Sequence, residues 1–178
     1  MSKVALTYRD YAALPDDGRR YQILDGELFV TPAPGTRHQM ILMRLSAQLH
    51  AHVTANRLGL VLPAPADVIL ADTSIVQPDI LFVANDRQAL VSARGIEGPP
   101  TLGVEILSPS TTLVDRGRKR ELYARYGMLF YWIADGDTRT LEMWRLRGDA
   151  CELLARPTGA TMAAAEPFPG LTLTDVWP

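Results

Sequence analysis

Asp79 in the run IVQPDILFV, Glu105 in TLGVEILSPS and Lys119 in DRGRKRELYAR are the residues whose types and spacing could do chemistry. TLGVEIL reads as a buried strand. An ionised carboxylate without a partner in such a place costs several kcal/mol or more, or shifts its pKa until it is neutral. A divalent cation would remove that conflict. Glu105 shares its strand face with Gly103 and Leu107, and the absent side chain at Gly103 predicts space beside the carboxylate for a ligand. The separation of Asp79 from Glu105 allows two neighbouring strands, so both acids could reach one ion. Mg²⁺ (or Mn²⁺) suits such a pair: a hard cation takes one or two carboxylates and keeps its other positions for water and phosphate oxygens. Lys119 precedes Leu122, Tyr123 and Tyr126 by three, four and seven residues, the stripe that should face a sheet. An ammonium there could orient a water for attack on a phosphodiester and stabilise the charge that develops. A lysine snorkelling along a sheet edge has the same spacing.

The elements that must position these residues alternate in type. YQILDGELFV reads as a hairpin closed by Asp25-Gly26. Thr36 and Gln39 form a capping-box pattern, and Ile41, Leu45, Leu49 and Val53 repeat every fourth residue, which predicts a helix over 36–58 ending at Gly59. LVLPA, DVILA, DILFV and TLGVEIL read as strands. A second helix is predicted over 115–126, stopped by Gly127. MLFYWIA, DGDT and LEMWRL then form a late hairpin, with a further turn at Gly148-Asp149 and an irregular tail in which Leu171, Leu173, Val176 and Trp177 pack back on the body. The order implies an α/β or α+β sandwich of one mixed sheet flanked by helices, with hairpins at both ends, as a single domain over 1–178.

Composition narrows the function classes. With 47% hydrophobic and 21% charged residues the chain is globular in character. Its longest apolar runs fall short of the roughly 20 residues a membrane span needs. The charged N-terminus has no secretory pattern and Cys151 stands alone, so a cytoplasmic protein without a disulfide framework is expected. Cys151 reads as a core or strand residue. A formal charge of −2 supplies no global field to hold nucleic acid, so binding must be local. The dense basic stretch from Arg116 to Arg125 is one source, with Arg116 and Arg118 as candidate substrate contacts, although a charged run is also an ordinary solvated helix face. His38, in the first turn of the first helix, could face a phosphate or sit at the surface. Ser108, Ser110 and Thr111 could donate to phosphate, but Ser-Pro favours a turn. His50 and His52 diverge on their helix, which argues against a histidine metal pair and a zinc hydrolase. Trp132 and Trp144 could stack on bases, yet cross-strand packing is the commoner use.

The succession YQILDGELFV, TPAPGTRHQMIL, VQPDILFV and VEILSPST, followed by a basic helix and Tyr131-Trp132, resembles the Uma-type family of bacterial endonucleases, a branch of the PD-(D/E)XK nuclease superfamily. The resemblance spans about residues 8 to 147. It implies a restriction-endonuclease-like core in which Asp79 and Glu105 match the two acids. The residue two after Glu105 is Leu107, so the superfamily lysine is absent from its usual place, and Lys119 on the next helix matches its replacement. Glu27 matches a DGEL element, and the superfamily often adds an N-terminal acid as a further metal ligand. The expectation is a metal-dependent DNA endonuclease, acting as a homodimer through the apolar late hairpin. The alternatives are a nucleic-acid-binding or assembly module that keeps the fold without turnover, and a hydrolase of another phosphate ester.

Overall fold

The computed structural model describes residues 4–109, 111–147 and 150–178. Helix α1 (Tyr8–Ala12) precedes a hairpin of β1 (Arg20–Leu24) and β2 (Glu27–Thr31). Helix α2 (Thr36–Ala55) leads to β3 (Gly59–Pro63), β4 (Val68–Ala71), β5 (Ser74–Val76) and β6 (Ile80–Ala84). After a 3₁₀ segment come short strands β7 (Val91–Ser92) and β8 (Gly95–Ile96), then β9 (Leu102–Ile106). A π-helical segment (Val114–Lys119) runs directly into α3 (Arg120–Arg125). Strands β10 (Phe130–Asp135), β11 (Thr140–Arg147), β12 (Ala150–Ala155), β13 (Thr161–Ala163) and β14 (Thr172–Thr174) complete the α+β fold.

The hairpin forms because Asp25 and Gly26 both take positive φ, 50° and 79°, as a two-residue turn between right-twisted strands requires. Gly26 also lies against the N-terminal segment: its N–H donates to Thr73 O at 2.8 Å and its carbonyl accepts from Leu6 N at 2.9 Å. A β-carbon there would stand 2.6 Å from Ala5 Cβ.

Among the described residues, two six-stranded sheets and a two-stranded one form where one mixed sheet was expected. The central one runs β12-β11-β10-β9-β6-β3, with β9 and β10 parallel and its other pairs antiparallel. The second runs β2-β1-β5-β4-β8-β7. The difference comes from β5, only three residues long, which folds back on β4 and pairs Ile75 with Ile23 of β1. It thereby collects the N-terminal hairpin into a separate layer. Such a short strand carries too little alternation to be read from sequence.

One face of the central sheet is covered by the α2 stripe of Ile41, Leu45, Leu49 and Val53, with Phe168, Leu173, Val176 and Trp177 from the tail. The other face packs on Leu122, Tyr123 and Ala124 and on Leu24, Val68, Val76 and Ile96 of the second sheet. The helix begins differently from the capping-box expectation: Gly35 is the N-cap and makes no side-chain cap, and the helix ends at Asn56, with Arg57 at φ 52° and Gly59 already in β3. The tail is more regular than expected, since β13 and β14 pair. Trp132 is fully buried with its ring edge-on to Phe168, and Trp144 lies under Arg120, so both indoles pack within the protein. Cys151 falls on β12. The Gly148-Asp149 turn and Ser110 lie outside the described residues.

Gly18 and Gly26 share φ near 79°, but only Gly26 has neighbours within reach of an added β-carbon. Gly18→Ala is expected to cost about 1 kcal/mol from backbone strain, and Gly26→Ala about 1 kcal/mol or more beyond that from overpacking. Urea unfolding of both variants checks this. Equal losses would show that the contact with Ala5 yields freely.

Candidate active site

The register of the central sheet brings the two acids together. Strand β6 is antiparallel to β9, with Ile80 opposite Val104 and Leu81 opposite Gly103. One step back along the first strand and one step forward along the second, Asp79 stands opposite Glu105. Alternation puts both on the face that meets α3, since Ile80 and Val104 point into the α2 layer. Both acids line a cleft of about 210 Å³. Its walls are Arg20, Gln22 and Thr31 of the first hairpin, the Pro32 to Gly35 segment with His38 of α2, and Ile106, Ser108, Pro109, Thr111, Asp115 and Lys119.

Asp79, 3% exposed, is fully engaged. Its Oδ1 accepts from Arg20 Nη1 at 2.9 Å, and Oδ2 accepts from Ile106 N at 2.8 Å and lies 3.1 Å from His38 Nε2. Burial would raise this carboxyl. The His38 imidazole, the Arg20 guanidinium and the Ile106 N–H outweigh burial and hold it below the ordinary carboxylate range. Removing the Asp79 carboxylate therefore strands three partners.

Glu105 Oε1 accepts from Lys119 Nζ at 2.9 Å and from Tyr123 Oη at 2.8 Å. Lys119 Nζ also stands 3.0 Å from Asp115 Oδ1, an oxygen that has no hydrogen-bond donor in proper geometry despite its burial. One ammonium cannot neutralise two carboxylates. Burial is the largest influence on Glu105, and with Asp115 and Asp79 nearby it prevails over Lys119, pushing the carboxyl up to about 8. Burial would lower Lys119, but Glu105 and Asp115 overcome it and raise its pKa, so the ammonium stays charged.

A family model for Uma2, described as "Putative restriction endonuclease", matches residues 8–175. The chain belongs to the Uma2 family. A crystal structure from Anabaena variabilis ATCC 29413, described as "a putative nuclease belonging to DUF820", has the same fold: TM-score 0.75 at 18% identity, covering 91% of this chain and 89% of that one. At that identity the likeness speaks to the fold alone. No curated protein matches the chain.

Within this Uma2 chain the other expected residues fall in different places. His38 and Ser108 line the cleft, and the Ser108 carbonyl accepts from Thr112 Oγ1 at 2.8 Å in a tight turn. Glu27 is not brought to the acids; it sits on the hairpin, 2.6 Å from Arg118 Nη1. Arg118 also donates to Leu24 O and lies over the Phe29 ring. Arg116 is drawn to Glu142 and Asp135. Arg125 pairs with Asp25. The basic run is therefore largely spent on internal partners, and neither Arg116 nor Arg118 lines the cleft. The space predicted beside Gly103 is filled by Met128, whose Sδ would be 3.0 Å from an added β-carbon.

Sequence reasoning missed Asp115, Arg20 and Tyr123. Asp115 sits four residues before Lys119, a usable signal, but an acid there also reads as an ordinary helix-start residue. The π-helical winding of this turn, a feature that often marks functional sites, was not legible either. Arg20 reaches Asp79 only through the tertiary fold.

Acids at the strands and oxygens on the neighbouring turn form a hard donor set that fits Mg²⁺, and Asp115 Oδ1, which faces the Lys119 ammonium at 3.0 Å, adds a third carboxylate oxygen at the cleft wall. Among the described residues no group of three or more His, Cys, Asp or Glu forms a ready-made cage. An ion needing only one or two carboxylates does not require one.

The raised Glu105 carboxyl fixes the sign of a pH effect. Its ordinary value is 4.5 and its folded value about 8. Between those limits the folded protein holds a proton that the unfolded chain has released, so this group's contribution to stability is present at low pH and falls as pH rises. Glu105→Gln keeps an acceptor for Lys119 and Tyr123 and is expected to flatten Tm against pH across that window. Equal slopes for variant and parent would mean that Glu105 titrates as an ordinary carboxyl.

Proposed function

We propose that this Uma2 protein is a divalent-metal-dependent DNA endonuclease whose metal ligands are Asp79 and Glu105, with Mg²⁺ or Mn²⁺ as the cation. The observation that carries the reading is the pairing of Asp79 and Glu105 across adjacent strands at an open cleft, with Lys119 buried between Glu105 and Asp115. Membership of a family described as restriction endonucleases supports the choice of a phosphodiester substrate.

The cation would supply Lewis-acid polarisation of a phosphate oxygen and of water. The chain's own residues do the rest. Lys119 holds its ammonium where it can orient the attacking water and stabilise charge that develops on the phosphate. Asp115 keeps Lys119 in place from one side, and Tyr123 fixes the Glu105 carboxylate from the other. We assign Asp115 as the third acid of the site in place of Glu27.

For cutting both strands we propose a two-fold dimer; of the late hairpin, Tyr131, Trp132, Ile133, Leu141 and Met143 are buried in the core, which leaves Leu129, Phe130 and Trp144 as its partly exposed apolar residues. Among the described residues no helix is long and apolar enough to cross a membrane.

A second reading, a non-catalytic nucleic-acid-binding or assembly module, is favoured by one observation: Asp79 and Glu105 already have Arg20 and Lys119 as internal cations. Cleavage assays separate the two. The parent is expected to cut DNA with Mg²⁺ or Mn²⁺ and to stop in chelator. Lys119→Met, assayed below its lowered melting temperature, should bind Mn²⁺ within a few-fold of the parent while cutting about a hundredfold more slowly. Full activity in that variant would remove the lysine's role. No cleavage by the parent of single-stranded, double-stranded or branched DNA would favour the second reading.

A further inference from the structure

The nuclease reading leaves one charged residue of the cleft wall without a role. Arg20 has a side chain only 18% exposed, and Asp79 is not the sole group that holds it. Its Nη2 donates to Gln77 O at 2.7 Å and its Nε to Gln77 Oε1 at 3.4 Å. Gln77 is fixed in turn. Its side-chain nitrogen donates to Asp67 Oδ1 at 2.8 Å and to Tyr11 Oη at 3.2 Å, and its backbone N–H donates to Gln22 Oε1 at 3.1 Å. The guanidinium is thus held in place on one edge by neutral acceptors, while Nη1 alone makes the bond to Asp79 Oδ1 at 2.9 Å.

That division has a physical consequence. A divalent cation that took the Asp79 carboxylate would neutralise the charge that Nη1 now faces, yet the Gln77 contacts would keep the guanidinium at the cleft wall. An arginine in that position has a donor to spare and an electrostatic need for an anion, and a planar guanidinium matches the oxygens of a phosphate. Resting on the nuclease reading of the same cleft, we propose that Arg20 is a substrate-binding residue. It serves as the internal counter-ion of Asp79 in the metal-free protein and as a phosphate contact for a nucleic-acid strand once a cation holds that carboxylate.

A purely structural clamp behaves differently. If Arg20 only positions Asp79, its loss should weaken metal binding, because the ligand is no longer held. If Arg20 competes with the cation, its loss should tighten metal binding while weakening the nucleic acid. The opposite signs decide the matter.

The test is Mn²⁺ titration by calorimetry together with anisotropy of a labelled DNA duplex in Ca²⁺, for the parent, Arg20→Gln, Arg20→Lys and the exposed neighbour variant Arg19→Gln. Arg20→Gln is expected to bind Mn²⁺ several-fold tighter and DNA about tenfold or more weaker, as the loss of a charged hydrogen bond implies. Arg20→Lys keeps the charge but loses the fork, so its Mn²⁺ affinity should stay near the parent's while DNA affinity falls. It also provides the test should Arg20→Gln fail to fold. Arg19→Gln should change neither. If the parent binds Mn²⁺ and the Arg20 variants bind it more weakly, or DNA binding is unchanged, the Arg20 proposal falls and the nuclease reading stands. If the parent binds no Mn²⁺, both fall together.

Discussion

Three carboxylates buried on one face of a sheet, answered by too few positive charges, are the constraint around which this protein is arranged. Asp79, Glu105 and Asp115 are each no more than 3% exposed. Lys119 serves two of them and Arg20 the third. Burying such groups costs several kcal/mol per ion even after relaxation, and pairing repays it only where geometry is good. Each cation is delivered by a different part of the fold. The crossover from β9 to β10 carries Lys119 beneath the sheet, and the first hairpin, tied into the second sheet by β5, carries Arg20 over its edge.

The imbalance explains why the site can be both stable and receptive. Asp79 is satisfied by three partners, whereas Glu105 and Asp115 share one ammonium. Added positive charge has somewhere to go. The basic run is engaged in ion pairs at the surface: Arg116 with Asp135 and Glu142, Arg118 with Glu27, and the more exposed Arg125 with Asp25.

Much of the site was legible because it follows from periodicity. Two-residue alternation places Asp79 and Glu105 on one face, and the helical stripe turns Lys119 inward. What was not legible depends on contacts between distant segments. Glu27 shares a sequence pattern with a ligand, yet the β1–β2 hairpin turns it toward Arg118. Gly103 offers space in a lone strand but not beneath Met128. Asp115 was hidden by its ordinary role as a helix-start acid, and Arg20 by the 59 positions that separate it from Asp79. The fold divides along the same line. The α2 stripe and the first hairpin declare themselves locally, whereas the division into two sheets turns on a three-residue strand.

Diffraction from crystals soaked in Mn²⁺, using the anomalous signal of the metal, decides whether this acid cluster is a divalent-cation site. One strong peak is expected in the cleft, with Asp79 and Glu105 among its ligands and the bond from Arg20 to Asp79 lengthened or broken. A map without a peak at saturating Mn²⁺, with the Arg20 and Lys119 pairs intact, would contradict that assignment and leave the carboxylates as structural partners of their two cations.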